Sequence, residues 1–185
     1  MSKIKLQNVR LSFPSLFRKA VFNGDETKYE ATFMLDKTEH ADLIKQIDNA
    51  VAGMMKDAFK GAKIPADKIC LKDGDDSGRS EYEGHMTIKA SNAKRPLVID
   101  RDKTPLGEGD NRIYSGCYVN GIVELWAQNN QWGKRINANL LAVQFFRDGD
   151  PFGDGTTASV DRFTSSRITT GEGRVEDGKV TDLKV

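Results

Sequence analysis

Residues 113–146, IYSGCYVNGIVELWAQNNQWGKRINANLLAVQFF, carry the clearest β-strand pattern of the chain. Apolar side chains recur at every second position on both sides of a polar centre, which is the period of a strand that buries one face. These positions are Ile113, Cys117, Val119, Val123 and Leu125 in the first half and Ile136, Ala138 and Leu140 in the second. The pattern predicts a long antiparallel hairpin. A turn at residues 130–131 matches the two apolar faces and sets Trp126 opposite Arg135.

The segments before this hairpin predict further strands and one helix. Residues 3–13 alternate, but the phase changes at Gln7-Asn8, where a bulge would bring all the apolar side chains, Phe13 included, to one face. A loop follows from Pro14 to about Thr27. Three further strands are predicted at residues 28–35, 84–91 and 97–99, and residues 72–83 are predicted to be a polar loop.

Residues 38–60 carry the helical pattern, with one apolar stripe that predicts packing against the sheet. Asp36 and Glu39 have the spacing of a capping box, and Gly61 and Pro65 end the pattern. The element order predicts an α+β, mainly β fold: a small bent antiparallel barrel with one long helix inserted. We expect one domain over residues 1–150 and a flexible Gly/Ser/Thr-rich tail over residues 151–185.

Composition excludes several classes of protein. The formal net charge is +1, so bulk charge alone does not indicate a nucleic-acid partner. There is no apolar signal core near the N-terminus and no long apolar run, so we expect a soluble cytosolic protein with no membrane partner. Two cysteines, Cys70 and Cys117, do not make a disulfide framework, and Cys117 is expected to be buried.

Aromatic, basic and amide side chains are concentrated between residues 89 and 135. A groove that binds a single nucleic-acid strand needs flat side chains for the bases and cations for the phosphates. The candidate DNA-binding residues are Trp126, Trp132, Lys134, Arg135, Tyr114, Tyr118, Lys89, Lys94, Arg95 and Arg112. The two tryptophans and the Lys134-Arg135 pair lead this set. For the two tyrosines, packing under the helix or in a dimer interface is the favoured interpretation, because aromatic side chains usually pack.

Other chemistries have weaker signals. The acidic residues Asp73, Asp75 and Glu81 could serve a metal-dependent nuclease, but a solvated loop is favoured because catalytic carboxylates need rigid elements. The histidines and cysteines are too scattered for a zinc site. No nucleotide-binding glycine loop or serine nucleophile motif is present. The sequence therefore predicts no catalytic residue, no metal and no cofactor.

Several motifs resemble those of a known family. They are Tyr114-Ser115-Gly116-Cys117, Gly133-Lys134, Asn139-Leu140-Leu141-Ala142-Val143-Gln144, Arg147-Asp148-Gly149, the opening VRLSFPSLF from Val9, and Lys94-Arg95-Pro96. Over about residues 1–155 the chain resembles phage single-stranded-DNA-binding proteins of the OB-fold type, formerly a domain-of-unknown-function family. The resemblance implies an OB-fold barrel that binds single-stranded DNA with little sequence preference during phage replication and recombination.

The resemblance also sets expectations for partners and location. It implies a non-enzymatic protein of the bacterial host cytoplasm, with replication or recombination proteins as further partners, while a homodimer stays open. A structural or adaptor role in a phage particle, with the aromatic hairpin as a protein interface, is the remaining alternative. The C-terminal residues VEDGKVTDLKV are mixed in charge, unlike the strongly acidic tails by which many strand-protecting proteins recruit partners.

Overall fold

The computed structural model describes residues 2–152, in which nine strands and one α-helix lie along the chain. The strands are β1 (Ser2–Ser15), β2 (Val21–Phe22), β3 (Asp25–Glu26), β4 (Tyr29–Asp36), β5 (Leu71–Asp73), β6 (His85–Asn92), β7 (Leu97–Ile99), β8 (Tyr118–Asn130) and β9 (Gly133–Arg147), and the helix is α1 (Ala41–Phe59). The expected flexible tail falls mostly on residues 153–185, which lie outside the described residues.

Five of the strands, β1, β4, β6, β8 and β9, close into a barrel. The larger sheet has the order β5-β6-β4-β1-β8-β9-β7, and an additional pairing of β6 with β9 joins its two arms. Ser91 lies beside Asn139 at this seam, where the two strands run parallel. The OB-fold-like barrel is therefore confirmed. The sequence pattern alone predicted antiparallel strands, and the four pairings along β6-β4-β1-β8-β9 are antiparallel. Four reversals leave β6 and β9 pointing the same way, so the pairing that closes the barrel is parallel.

A bulge at Asn8 bends β1, which pairs with β8 along one edge and with β4 along the other. Asn8 adopts a left-handed backbone conformation (φ 53°), and its N–H donates to Asn120 Oδ1 over 2.9 Å. Leu6 and Val9 are both buried as a result, which confirms the predicted change of phase. The inward placement of Phe13 was wrong. Its φ is 47°, a second irregularity follows Ser12, and 42% of Phe13 is exposed.

The helix packs its predicted stripe against the barrel core. Ile47, Val51 and Phe59 are buried in the core cluster. The helix begins later than predicted, because Asp36 Oδ1 accepts hydrogen bonds from the N–H groups of Thr38 and Glu39 and so holds a turn before the helix instead of capping it. Within residues 2–152 no helix is long and apolar enough to cross a membrane.

The β8–β9 hairpin differs from its predicted register by two residues. Asn130 pairs with Gly133, so the turn is Gln131-Trp132, and Trp126 lies opposite Asn137 while Arg135 lies opposite Gln128. A shift of two residues keeps every side chain on its predicted face. The first arm also begins at Tyr118, because Gly116 (φ 112°) turns the backbone before it.

The loops predicted before and after α1 also contain short strands. The predicted loop from Pro14 to Thr27 contains the small β2–β3 hairpin, and the first two residues of the predicted polar loop 72–83, Lys72 and Asp73, belong to β5. Both additions are two or three residues per strand, too short for an alternating pattern to be visible.

Replacing Gly121 with alanine tests the packing of the barrel interior. A Cβ at this position would lie 2.8 Å from Cε1 of Phe33, a fully buried ring that cannot withdraw. We expect Gly121→Ala to lower the free energy of unfolding by about 1–3 kcal/mol in urea titrations. Gly53→Ala, on α1 with open space around it, is the control and should raise stability by up to about 1 kcal/mol. Equal effects from the two substitutions would contradict this packing.

Candidate nucleic-acid interface

A groove of about 460 Å³ lies on the outer surface of the barrel. We call it the basic groove because five cationic side chains line it against two carboxylates. The cations are Lys28, Lys68, Lys72, Lys89 and Arg135, and the carboxylates are Glu30 and Asp67. Its walls come from the start of β4, from β6, from the segment of residues 67–72 and from the β8–β9 hairpin. An excess of positive charge in a concave surface attracts a polyanion.

Trp126 is the aromatic side chain of the basic groove. It lies on the outward face of β8, half-buried, and its indole N–H donates to Asn139 Oδ1 over 3.1 Å. Beside it, the Asn137 amide donates to Gln128 Oε1 over 3.1 Å. The bond to Asn139 orients the indole, so that a flat side chain is already in place when a ligand arrives.

Three of the ten sequence-predicted residues line this groove together: Trp126, Arg135 and Lys89. The Lys89 ammonium lies 3.5 Å from Oε2 of Glu30, which lines the same groove. The other three cations of the groove, Lys28, Lys68 and Lys72, were not predicted from the sequence. Only Lys28 had a local signal, since it precedes β4 with the same parity as the outward-facing Glu30.

The remaining leading candidates, Trp132 and Lys134, lie at and beside the tip of the β8–β9 hairpin. Trp132 is 78% exposed in the turn, where its backbone N–H donates to Asn130 Oδ1. Lys134 lies on the opposite face of β9 from Arg135, and its ammonium is 6.0 Å from the centre of the Phe59 ring of α1. The structure therefore does not bring Lys134 and Arg135 to one surface.

Both tyrosines are engaged in contacts of their own. The Tyr114 hydroxyl donates to Asp148 Oδ1 over 2.8 Å and accepts from the Gly149 N–H over 3.1 Å. Burial raises the pKa of the Tyr114 hydroxyl well above its usual range. The centre of the Tyr118 ring lies 3.7 Å from the guanidinium carbon of Arg147 and 5.6 Å from that of Arg10. Neither tyrosine lines the basic groove.

Lys94, Arg95 and Arg112 also lie outside the basic groove. Lys94 is held in a turn by its backbone N–H, which donates to the Asn92 side chain, and its own side chain is exposed. The Arg95 guanidinium lies 5.4 Å from the Phe17 ring centre. Arg112 lies 4.1 Å from the Phe145 ring centre, and its Nε is 3.3 Å from Asp100 Oδ1.

The acidic residues weighed for a nuclease are organised around a lysine. Lys37 Nζ lies 2.7 Å from Asp73 Oδ1 and 2.6 Å from Asp75 Oδ2, and these bonds hold the pKa of both carboxyls below the usual range. Glu81 faces Arg79 instead, at 3.7 Å. Among residues 2–152 no three metal-ligating side chains form a group that could hold an ion. The geometry therefore gives the nuclease alternative no support.

The position of the basic groove defines the class of protein. OB folds bind oligonucleotides on the face of their second and third barrel strands, between the loop joining strands one and two and the loop joining strands four and five. In this barrel those strands are β4 and β6, and the loops are residues 16–28 and the Gln131-Trp132 turn. The fold and the groove together define an OB-fold protein with a basic, tryptophan-containing groove on the face where OB folds bind oligonucleotides.

Comparison with known proteins identifies the family within this class. Residues 2–173 match the family model described as Enterobacter phage Enc34, ssDNA-binding protein, and the chain belongs to that family. Protein p50 of Acyrthosiphon pisum secondary endosymbiont phage 1 is 42% identical, in a match covering 87% of this chain and 92% of that protein.

Solved structures of the Enc34 protein share the fold. The single-stranded DNA-binding protein from bacteriophage Enc34 in complex with ssDNA is 36% identical, with a TM-score of 0.74 over 82% of this chain and 89% of that chain. The same phage protein without the complex is 35% identical, with a TM-score of 0.74 over 86% of this chain and 89% of that chain. The resemblance drawn from the sequence motifs is thereby confirmed.

The contacts of Tyr114 predict a structural role for its hydroxyl. Tyr114→Phe removes the hydrogen bonds to Asp148 and Gly149 but keeps the ring. We expect the free energy of unfolding to fall by about 1–2 kcal/mol while affinity for oligo-dT is unchanged. Urea titration and a binding titration on the same sample measure the two effects. Weaker binding at full stability would instead give the hydroxyl a place in the nucleic-acid interface.

Proposed function

We propose that this protein binds single-stranded DNA in the basic groove, largely independently of sequence, and so coats and protects unwound strands during phage replication and recombination. The observation that carries the proposal is the position of Trp126 and five cations on the oligonucleotide face of an OB-fold barrel. The solved complex of the related Enc34 protein with ssDNA supports it. The host cell cytoplasm, where phage DNA is replicated, is the proposed location.

The chemistry of the groove suits a single strand of any sequence. Every base has a π-face that can stack on Trp126, and each stacked base contributes about 1–3 kcal/mol. The lysines and Arg135 neutralise phosphates, and the amides of Gln128 and Asn137 offer hydrogen bonds that no single base requires. Stacking and charge neutralisation need no bond to be broken, so the proposed role is non-enzymatic.

The hairpin tip extends this interface beyond the groove. Trp132 stands exposed five residues from Asn137 along the chain and can stack on a base that leaves the groove. Lys134, on the other face of β9, would meet a phosphate only where the strand passes round the tip. Replication or recombination proteins are proposed as further partners of the DNA-bound protein.

Tryptophan fluorescence separates the two proposed stacking positions. Titration with oligo-dT should quench the emission of the native protein, and Trp132→Phe should keep most of that quenching because Trp126 remains in the groove. Trp126→Ala should weaken binding by about tenfold or more. Native emission that does not change at saturating oligo-dT, with no mobility shift, would contradict the proposal.

Charge substitutions test the path of the phosphates. Lys72→Gln and Arg135→Gln should each weaken oligo-dT binding and reduce the slope of log affinity against log salt by about 0.7, the value for one phosphate contact on a single strand. Lys45→Gln removes an exposed cation on α1, outside the groove, and is the matched control. If Lys45→Gln changes the slope as much as the other two, the groove is not the binding path.

A further inference from the structure

Two apolar surfaces of the barrel are exposed without belonging to the basic groove. Val21 and Phe22, at the end of the β2–β3 hairpin, are 65% and 70% exposed, and Leu97 of β7 is 58% exposed. None of the three lines the basic groove. Exposed large apolar side chains that cluster on a surface indicate contact with another molecule. We call Val21 and Phe22 the apolar tip.

Leu97 forms one wall of a second groove, of about 260 Å³, which we call the apolar groove. Strand register places Lys5, Ile122, Ala142 and Leu97 in one row across β1, β8, β9 and β7. Ile122 and Ala142 therefore form an apolar floor between the Leu97 wall and Lys5. A dry apolar cavity of about 150 Å³ holds a benzene ring, so the apolar groove has room for a phenylalanine side chain.

The charges around the two surfaces are complementary. On the β2–β3 hairpin, Glu26 pairs with Val21 and Asp25 pairs with Phe22, so two exposed carboxylates flank the apolar tip. The rim of the apolar groove carries the exposed cation Lys5. The acidic apolar tip and the apolar groove with its basic rim are therefore complementary in charge.

Both surfaces adjoin the proposed DNA path at different places. Thr27 and Lys28, at the base of the β2–β3 hairpin, line the basic groove. Trp126 lines it as well, and Ile122 lies four residues away on the same outward face of β8, a distance of about 13 Å. The apolar tip and the apolar groove thus flank the basic groove from different elements of the barrel.

We infer that the apolar tip of one copy of this protein inserts into the apolar groove of a second copy bound beside it on the same DNA strand. The contact joins two different surfaces, so it is head-to-tail, and repetition along a strand produces a chain of molecules instead of a closed dimer. The inference rests on the proposed function, since the DNA strand brings the two copies together. It gives the protein a means of binding neighbouring sites cooperatively.

Binding to oligo-dT of two lengths tests the contact. A length series first finds the oligonucleotide that holds one molecule and the one that holds two. Phe22→Asp and Leu97→Asp should each leave binding to the one-molecule oligonucleotide unchanged. Each should lower the cooperativity on the two-molecule oligonucleotide by about tenfold, because a phenylalanine side chain loses its apolar site. Lys45→Gln, at an exposed position of α1 that lines neither groove, should leave cooperativity intact.

A mixture of the two variants tests the head-to-tail geometry. Phe22→Asp keeps an intact apolar groove and Leu97→Asp keeps an intact apolar tip, so an equimolar mixture should recover cooperativity on the two-molecule oligonucleotide. Native protein without cooperativity, variants that match the native protein, or a mixture that recovers nothing would each overturn the inference. Weaker binding of Phe22→Asp to the one-molecule oligonucleotide would overturn it too, since the apolar tip would then contact DNA.

A cross-linking experiment without DNA separates this inference from the proposed function. Phe22→Cys protein mixed with Leu97→Cys protein at high concentration should form a disulfide-linked pair on oxidation, while Trp132→Cys mixed with Leu97→Cys should not. Formation of the pair together with no binding to oligo-dT would sink the proposed function and keep the contact between copies. Binding to oligo-dT without cooperativity and without the disulfide-linked pair would overturn the contact between copies and keep the proposed function.

Discussion

The alternation of inward and outward side chains along the β8–β9 hairpin determines both the core of the barrel and its basic groove. Val123 and Leu125 point into the barrel and are fully buried, while Trp126 between them and the tip points outward into the basic groove. Because neighbouring side chains of a strand face opposite ways, the same backbone builds the core and the binding surface. A slip of one residue would bury the indole and expose the core, so stability and site geometry are held by one register.

Alternation explains how much of the fold and site the sequence could predict. It assigns each side chain to a face, so the outward position of Trp126 and the bulge beside Asn8 were predicted correctly. It does not choose between partners two residues apart, since both keep the same faces, and Arg135 was therefore paired wrongly. The opposite placement of Lys134 and Arg135 follows from the same rule, although both were predicted among the leading DNA-binding residues.

The rest of the basic groove could not be predicted because it is assembled by contacts distant in sequence. Lys68 and Lys72 reach the groove only because the segment after α1 pairs with β6 and lies against β9, where Cys70 donates its backbone N–H to the Ile136 carbonyl oxygen. The seam between Ser91 and Asn139 then brings β6 beside the hairpin. Such pairings leave no local pattern in the chain. The contacts of Tyr114 and Tyr118 could not be predicted either, because their partners, Asp148 and Arg147, lie about 30 residues further along the chain.

Ultraviolet cross-linking of oligo-dT to the native protein, with the attached peptides located by mass spectrometry, shows which surface the strand contacts. If the strand lies in the basic groove, cross-links should fall on β8 and β9 around Trp126 and on the segment around Lys72, which line one groove from distant parts of the sequence. Cross-links confined to the outward surface around Tyr118, or to the apolar groove beside Leu97, would show that the strand runs elsewhere and would contradict binding in the basic groove.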